Sequence, residues 1–129
     1  TGLARVCREV PFTHVNSGEY LGLSGKLQLL EHDAVEVLNL HGHFSEVMTA
    51  ARIAGESGIP VTVGNTALEI GVHVAAALPE LAWMEWSEVG WDVLAAEPIL
   101  AEAGHVIAPD RPGHGISLSE YALAELREP

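Results

Sequence analysis

The order of strand and helix signals along this chain predicts an α/β fold built on a parallel sheet, and three observations carry that prediction. Short runs rich in β-branched and aromatic residues alternate with longer segments whose apolar residues recur at three- and four-residue spacings. Amphipathic helices between successive strands imply parallel pairing with right-handed crossovers. Hydrophobic residues make up 48% of the 129 residues, far too many for an acidic disordered tail, so the pattern describes a packed core.

The first strand signal is Val10–Val15, which ends at the loop Asn16–Ser17–Gly18. A helix is expected over Ser24–Glu31, with Leu23, Leu27 and Leu30 on one stripe. Ala34–Leu40 (AVEVLNL) reads as the second strand. Phe44–Glu56 reads as a helix with Phe44, Val47, Met48, Ala51 and Ala54 on its apolar face, and Gly58 stops it. Ile59–Val63 is the third strand, with its proline at Pro60 near the start, where proline is tolerated. Thr66–Glu69 has the spacing of a capping box and opens a helix over Ala67–Leu78, which Pro79 ends. Leu81–Trp86 (LAWMEW) is the fourth strand. An irregular stretch follows, then the Gly/Pro cluster Pro109–Gly115 and a last short helix opened by a second capping box, Ser117–Glu120.

Four such strands form either a small open sheet or half of an eight-stranded barrel, since a full barrel takes about 250 residues. In both architectures chemistry collects at the carboxyl ends of the strands. Charge narrows the partners. With 6 Lys and Arg against 18 Asp and Glu, a formal net charge of -12, nucleic acid is a poor partner. No apolar run approaches the roughly 20 residues that cross a bilayer, and no basic segment followed by an apolar stretch opens the chain, so neither a membrane span nor a signal peptide is expected. Cys7 stands alone, which excludes an internal disulfide and fits a cytoplasmic protein.

The strand ends hold the candidate residues, each with a functional and a structural reading. Glu19 follows a glycine after the first strand, as a solvated loop carboxylate or as a ligand for Mg2+, which prefers hard oxygen donors. His41 and His43 flank Gly42 after the second strand, as loop residues or as a general base. They lack the further Cys or His neighbours that zinc requires. Asn65 and Thr66 read as helix caps. Glu85 sits among Trp83, Met84 and Trp86; a carboxylate in a buried strand needs a partner or a barrel mouth. His73, inside an apolar helix, reads as a packed core histidine. The cluster PDRPGHG lacks the lysine and helix start of a phosphate loop and reads as a turn.

Six segments in order carry a family resemblance. They are SGE (Ser17–Glu19), AVEVLNLH (Ala34–His41), GIPVTVGNTALEIG (Gly58–Gly71), HVAAALPE (His73–Glu80), LAWMEW (Leu81–Trp86) and GHVIAPDRPGHGI (Gly104–Ile116). Together they resemble the C-terminal half of the catalytic domain in the enolase superfamily, in its mandelate racemase and muconate lactonizing branch. That resemblance implies strands five to eight of a modified (β/α)7β barrel. It also implies Mg2+-dependent abstraction of a proton next to a substrate carboxylate through an enediolate, in a racemase, epimerase, dehydratase or cycloisomerase.

By position, Glu19 matches the third metal ligand, with Asn16 as the alternative under a tighter alignment. His41 falls where the lactonizing branch has a lysine base and the racemase branch an aspartate. Glu85 matches a glutamate that binds the substrate carboxylate, and Asn39 and Asn65 join it as substrate-binding candidates at the neighbouring strand ends. Gly64 stands where the racemase branch has a histidine, and the Gly-Gly turn before the next helix is shortened to Gly42–His43. The resemblance further implies a complementary N-terminal half carrying the other two metal carboxylates, a carboxylic acid substrate and an oligomer. A non-catalytic barrel subunit is the alternative reading.

Overall fold

The computed structural model describes residues 2–64, 68–86 and 91–126. Its elements run α1 (Gly2–Glu9), β1 (Asn16–Ser17), α2 (Leu23–Glu31), β2 (Val37–Leu40), α3 (Phe44–Glu56), β3 (Val61–Val63), α4 (Leu68–Ala76) and β4 (Leu81–Met84). After these come α5 (Trp91–Leu94), the antiparallel pair β5 (Ala101–Glu102) and β6 (His105–Val106), and α6 (Glu120–Glu125).

The first four strands pair in sequence order, β1-β2-β3-β4, and every pairing is parallel. β1, β2 and β3 are each followed by a helix, α2, α3 and α4, that returns along one face. That face is apolar. Leu38 and Leu40 of β2 and Val61 and Val63 of β3 pack against Leu29 of α2, Val47, Ala50, Ala51 and Ala54 of α3, and Val74 and Ala75 of α4. Leu38 and Leu40 are wholly buried, and each such side chain contributes about 1.5–3 kcal/mol of transfer free energy. Ala4 brings α1 into the same core. The small residues of α3 let that helix lie close to the sheet, and Gly55 lets Glu80 cross it, since a Cβ there would overlap the glutamate side chain.

The opposite face carries no helix among the described residues. It presents Asn16, Asn39, Thr62, Trp83 and Glu85, with Trp83 52% exposed. Asn16 Nδ2 on β1 donates to Thr62 Oγ1 on β3 across 3.4 Å, reaching over β2. Strands two apart lie about 9–10 Å from each other in a flat sheet. Two short side chains meet over that span on the inside of a curve, so the polar face is concave. Helices on the convex side and a polar concave side are the arrangement of half a barrel, not of a doubly wound sheet. Among the described residues, no helix is long and apolar enough to cross a membrane.

Several sequence expectations are corrected. Residues 10–15 do not form the first strand. Val10 and Thr13 close turns onto Val6 and Val10, and the chain joins the sheet only at Val15, whose carbonyl accepts from the amides of Glu36 and Val37. Pro11, lacking an N–H, and the 84% exposed Phe12 explain why a β-rich composition fails to pair there. The preceding residues form a helix that the sequence reading did not include. The other strands are shorter than expected, and Phe44 lies outside the buried stripe of α3, where Ala50 takes its place. Ser119, not Ser117, caps α6: its hydroxyl accepts from the Ala122 amide at 3.1 Å. Ser117 is held extended, its carbonyl accepting from Ala96. Thr66, the first residue of the expected capping box Thr66–Glu69, lies outside the described residues.

Candidate active site

Strand direction brings residues 18–21, 39–43, 64 and 85 to one end of the sheet. Which of them face the concave side depends on register. Asn39 pairs with Thr62, and Thr62 with Trp83, so these three stand in a row across the sheet. The β3–β4 pairing slips between Val61 and Thr62, leaving Ala82 as an extra residue on β4. Leu81 and Met84 therefore both meet the helix-side core, although strict alternation would place them on opposite faces. Glu85 follows Met84 and turns to the concave side. There it lines an open hollow of about 190 Å³ with Asn16, Asn39, Thr62, Val63 and Trp83.

Glu19 is presented by a tight turn in which the Leu21 amide donates to the Gly18 carbonyl at 3.0 Å. Gly18 has φ +121° and is buried; a Cβ there would stand 3.0 Å from both the Asn39 carbonyl and Leu38 Cδ1. Only glycine fits, and its close contact with β2 fixes where the Glu19 carboxylate goes. A Cβ on Gly64 would lie 3.5 Å from Glu19 Oε1 and 3.6 Å from Asn39 Oδ1. The two oxygens thus converge over the end of β3, in space that the missing side chain leaves open. Asn39 Oδ1 is buried with no hydrogen-bond partner. A buried acceptor left unpaired costs about 1–3 kcal/mol unless a ligand, ion or water satisfies it.

Gly18→Ala is expected to cost about 1–3 kcal/mol through backbone strain and overlap. The drop in unfolding midpoint by calorimetry checks it. Gly22→Ala, with nothing within 4 Å of its Cβ position, is the control and should change little.

His41 lies one residue beyond β2. Its half-buried ring packs edge-on against Tyr20, centroids 6.5 Å apart, and it borders a smaller, mostly apolar cavity of about 80 Å³ with Phe44, Ile70 and Gly71. Tyr20 is the neighbour of Glu19, so the imidazole and the carboxylate sit at the same end of adjacent strands. His43 is exposed and occupies the N-cap position of α3 without a side-chain capping bond. Glu85 is exposed on the concave face and Glu19 is half-buried. Asn65 lies outside the described residues. Among those described, no three His, Cys, Asp or Glu side chains cluster as a metal site; the orphaned amide oxygen has Glu19 near it across Gly64, and Glu85 lines the same hollow as Asn39.

Three features were not identified from the sequence. The Asn16–Thr62 bond depends on sheet curvature, which no local pattern encodes. His73 is not a packed core histidine: it is partly exposed, and its Nε2 lies 3.1 Å from the His114 carbonyl, tying the Pro109–Gly115 turn to α4. Lys26 is buried, and its Nζ donates to the carbonyls of Leu21 and, at 3.2 Å, His41. A signal for it existed, because Lys26 stands three residues from Leu23 and Leu29 and four from Leu30, on the apolar stripe of α2.

The structure defines half of a parallel barrel, coated by helices on one side, with an acid, an amide and an imidazole at the carboxyl end of its sheet. The chain belongs to the enolase C-terminal domain-like family, which matches residues 1–122. It is 31% identical, over 97% of its length, to a 3,6-anhydro-alpha-L-galactonate cycloisomerase of Streptomyces coelicolor, of which it covers 36%. It resembles a crystal structure of a provisionally assigned mandelate racemase from Mesorhizobium loti, with 50% identity, a TM-score of 0.89, and coverage of 96% of this chain and 33% of that one. It also resembles an L-talarate dehydratase from Polaromonas sp. JS666 complexed with Mg and L-glucarate, with 29% identity, a TM-score of 0.82, and coverage of 95% and 35%. The chain thus spans about a third of the length of these relatives.

Proposed function

We propose that this chain is the C-terminal barrel half of a Mg2+-dependent enzyme that removes the proton next to the carboxylate of a hydroxylated acid. The observation that carries the reading is the convergence of the Glu19 carboxylate and the unpaired Asn39 Oδ1 beside Gly64, at the carboxyl end of the sheet. Both are hard oxygen donors, the type Mg2+ takes. Glu19 supports the ligand role better than Asn16, which carries no charge and stands further down the concave face, its Nδ2 donating to Thr62. When bound, the cation supplies charge neutralisation for the enediolate, the largest demand of such a reaction.

The chain's own residues divide the remaining work. Glu19 holds its charge at the mouth on the pinned Gly18 turn. His41 is the candidate base, at the end of the adjacent strand. Glu85 orients the substrate from the concave hollow, and Asn39, with Asn65, accepts or donates to substrate hydroxyls. The other metal carboxylates come from a complementary N-terminal half that also covers the concave face and the free edges of β1 and β4. Relatives named for sugar acids support a hydroxylated acid as the substrate class.

The test uses the complete protein in D2O with a panel of sugar acids, with and without Mg2+. NMR loss of the α-proton signal that requires Mg2+ is the expected result. A second reading, a non-catalytic barrel subunit, is favoured by the lack of a three-residue metal cluster among the described residues. Complete protein that neither binds Mg2+ nor exchanges any α-proton would establish it.

A further inference from the structure

We infer that Lys26 is a positioning residue, which clamps the Glu19 turn to the end of the His41 strand through two backbone hydrogen bonds. The inference rests on the site reading above and deepens it. Lys26 is 2% exposed, on the core-facing side of α2. Its Nζ donates to the Leu21 carbonyl, which closes the turn displaying Glu19, and to the His41 carbonyl at 3.2 Å. One ammonium therefore joins the two loops that carry the candidate ligand and the candidate base.

Each loop needs such a tie. The Glu19 turn is anchored on its first side by Gly18 against β2, but on its second side it runs into α2 through Gly22, an N-cap residue that makes no side-chain capping bond. There the Leu21 carbonyl takes its side-chain partner from Lys26. His41 is followed by Gly42 at φ +121°, so the strand end turns sharply away from the sheet just beyond the residue whose carbonyl the lysine holds.

Burying an ammonium is unfavourable unless its donors are used, and a leucine or methionine would fill the same place on the apolar stripe without that cost. Burial accordingly lowers the Lys26 pKa, and the Glu46 carboxylate on the first turn of α3 opposes that shift. The side chain reaches no open surface, so it is not placed to touch substrate. Its effect runs through the two carbonyls. Partners that orient a metal ligand in this way typically change metal affinity or activity 10–100-fold when lost.

The experiment uses the complete protein carrying Lys26→Met, Lys26→Gln and Lys26→Arg, with Glu19→Gln as reference. Hydrogen–deuterium exchange reads the clamp directly and Mg2+ titration calorimetry reads its consequence. Lys26→Met should speed amide exchange across residues 18–22 and 41–43 together, leave α3 protected, and weaken Mg2+ binding by about 10-fold or more. Lys26→Arg, which can still donate to two carbonyls, should restore most of both. If Lys26→Met does not fold, Lys26→Gln decides by the same two measurements. Unchanged exchange in both loops overturns the clamp. So does faster exchange with unaltered Mg2+ affinity in a protein whose Glu19→Gln variant binds Mg2+ weakly. If Glu19→Gln itself leaves Mg2+ binding intact, the ligand reading fails separately, and exchange alone decides the clamp.

Discussion

Glu19→Gln in the complete protein is expected to weaken Mg2+ binding by at least about 100-fold, because the loss of even an outer partner of a metal ligand costs 10–100-fold. The substitution removes one negative charge while keeping the shape of the side chain. Glu19 stands half-buried on a turn anchored by Gly18, so glutamine should occupy the same place and the unfolding midpoint should hold. Calorimetric titration of Mg2+ and a thermal melt measure the two halves of the expectation. Unaltered affinity would move the ligand assignment to Asn16, whose Oδ1 is not used by the bond from its Nδ2 to Thr62.

His41→Asn is expected to slow exchange of the substrate α-proton with solvent deuterium by about 10²–10⁴-fold, the usual contribution of a general base. Substrate binding should change little, since Asn39 and Glu85, which line the concave hollow, are untouched. His43→Asn should have a small effect: that side chain is exposed and makes no capping bond to α3. Exchange that survives in the His41 variant would remove this imidazole from the chemistry. Loss of exchange for only one stereoisomer would show that the N-terminal half supplies a second base on the other face.

How much of this was legible in the sequence depended on the range of the forces involved. The helix over Phe44–Glu56 was read with its observed bounds because a repeating apolar stripe is a local signal. The four-strand parallel order followed from alternation, whereas the helix-coated face came only with the family resemblance, which selected the half-barrel over an open sheet. The first strand was misplaced because Val10–Val15 has β composition, whereas pairing is decided by the β2 backbone that receives Val15. Glu19 and Asn39 were both identified, but their approach to one point beside Gly64 was not, since it depends on how the Gly18 turn packs against β2. Lys26 was passed over because a charged residue in a helix is ordinarily read as solvated, and only its place on the leucine stripe argued otherwise.

The extra residue on β4 makes this strand tolerant of one particular change in length. Between Leu81 and Met84 the strand holds one residue more than pairing with β3 requires, and the slip beside Ala82 absorbs it, so that Leu81 and Met84 stay on the helix side while Glu85 looks inward. Deleting Ala82 would let Leu81, Trp83 and Met84 pair consecutively with Val61, Thr62 and Val63, and every side chain beyond the slip would keep its face. The surplus residue is therefore a buffer: a one-residue loss at this point leaves the acid at the mouth and the methionine in the aliphatic layer.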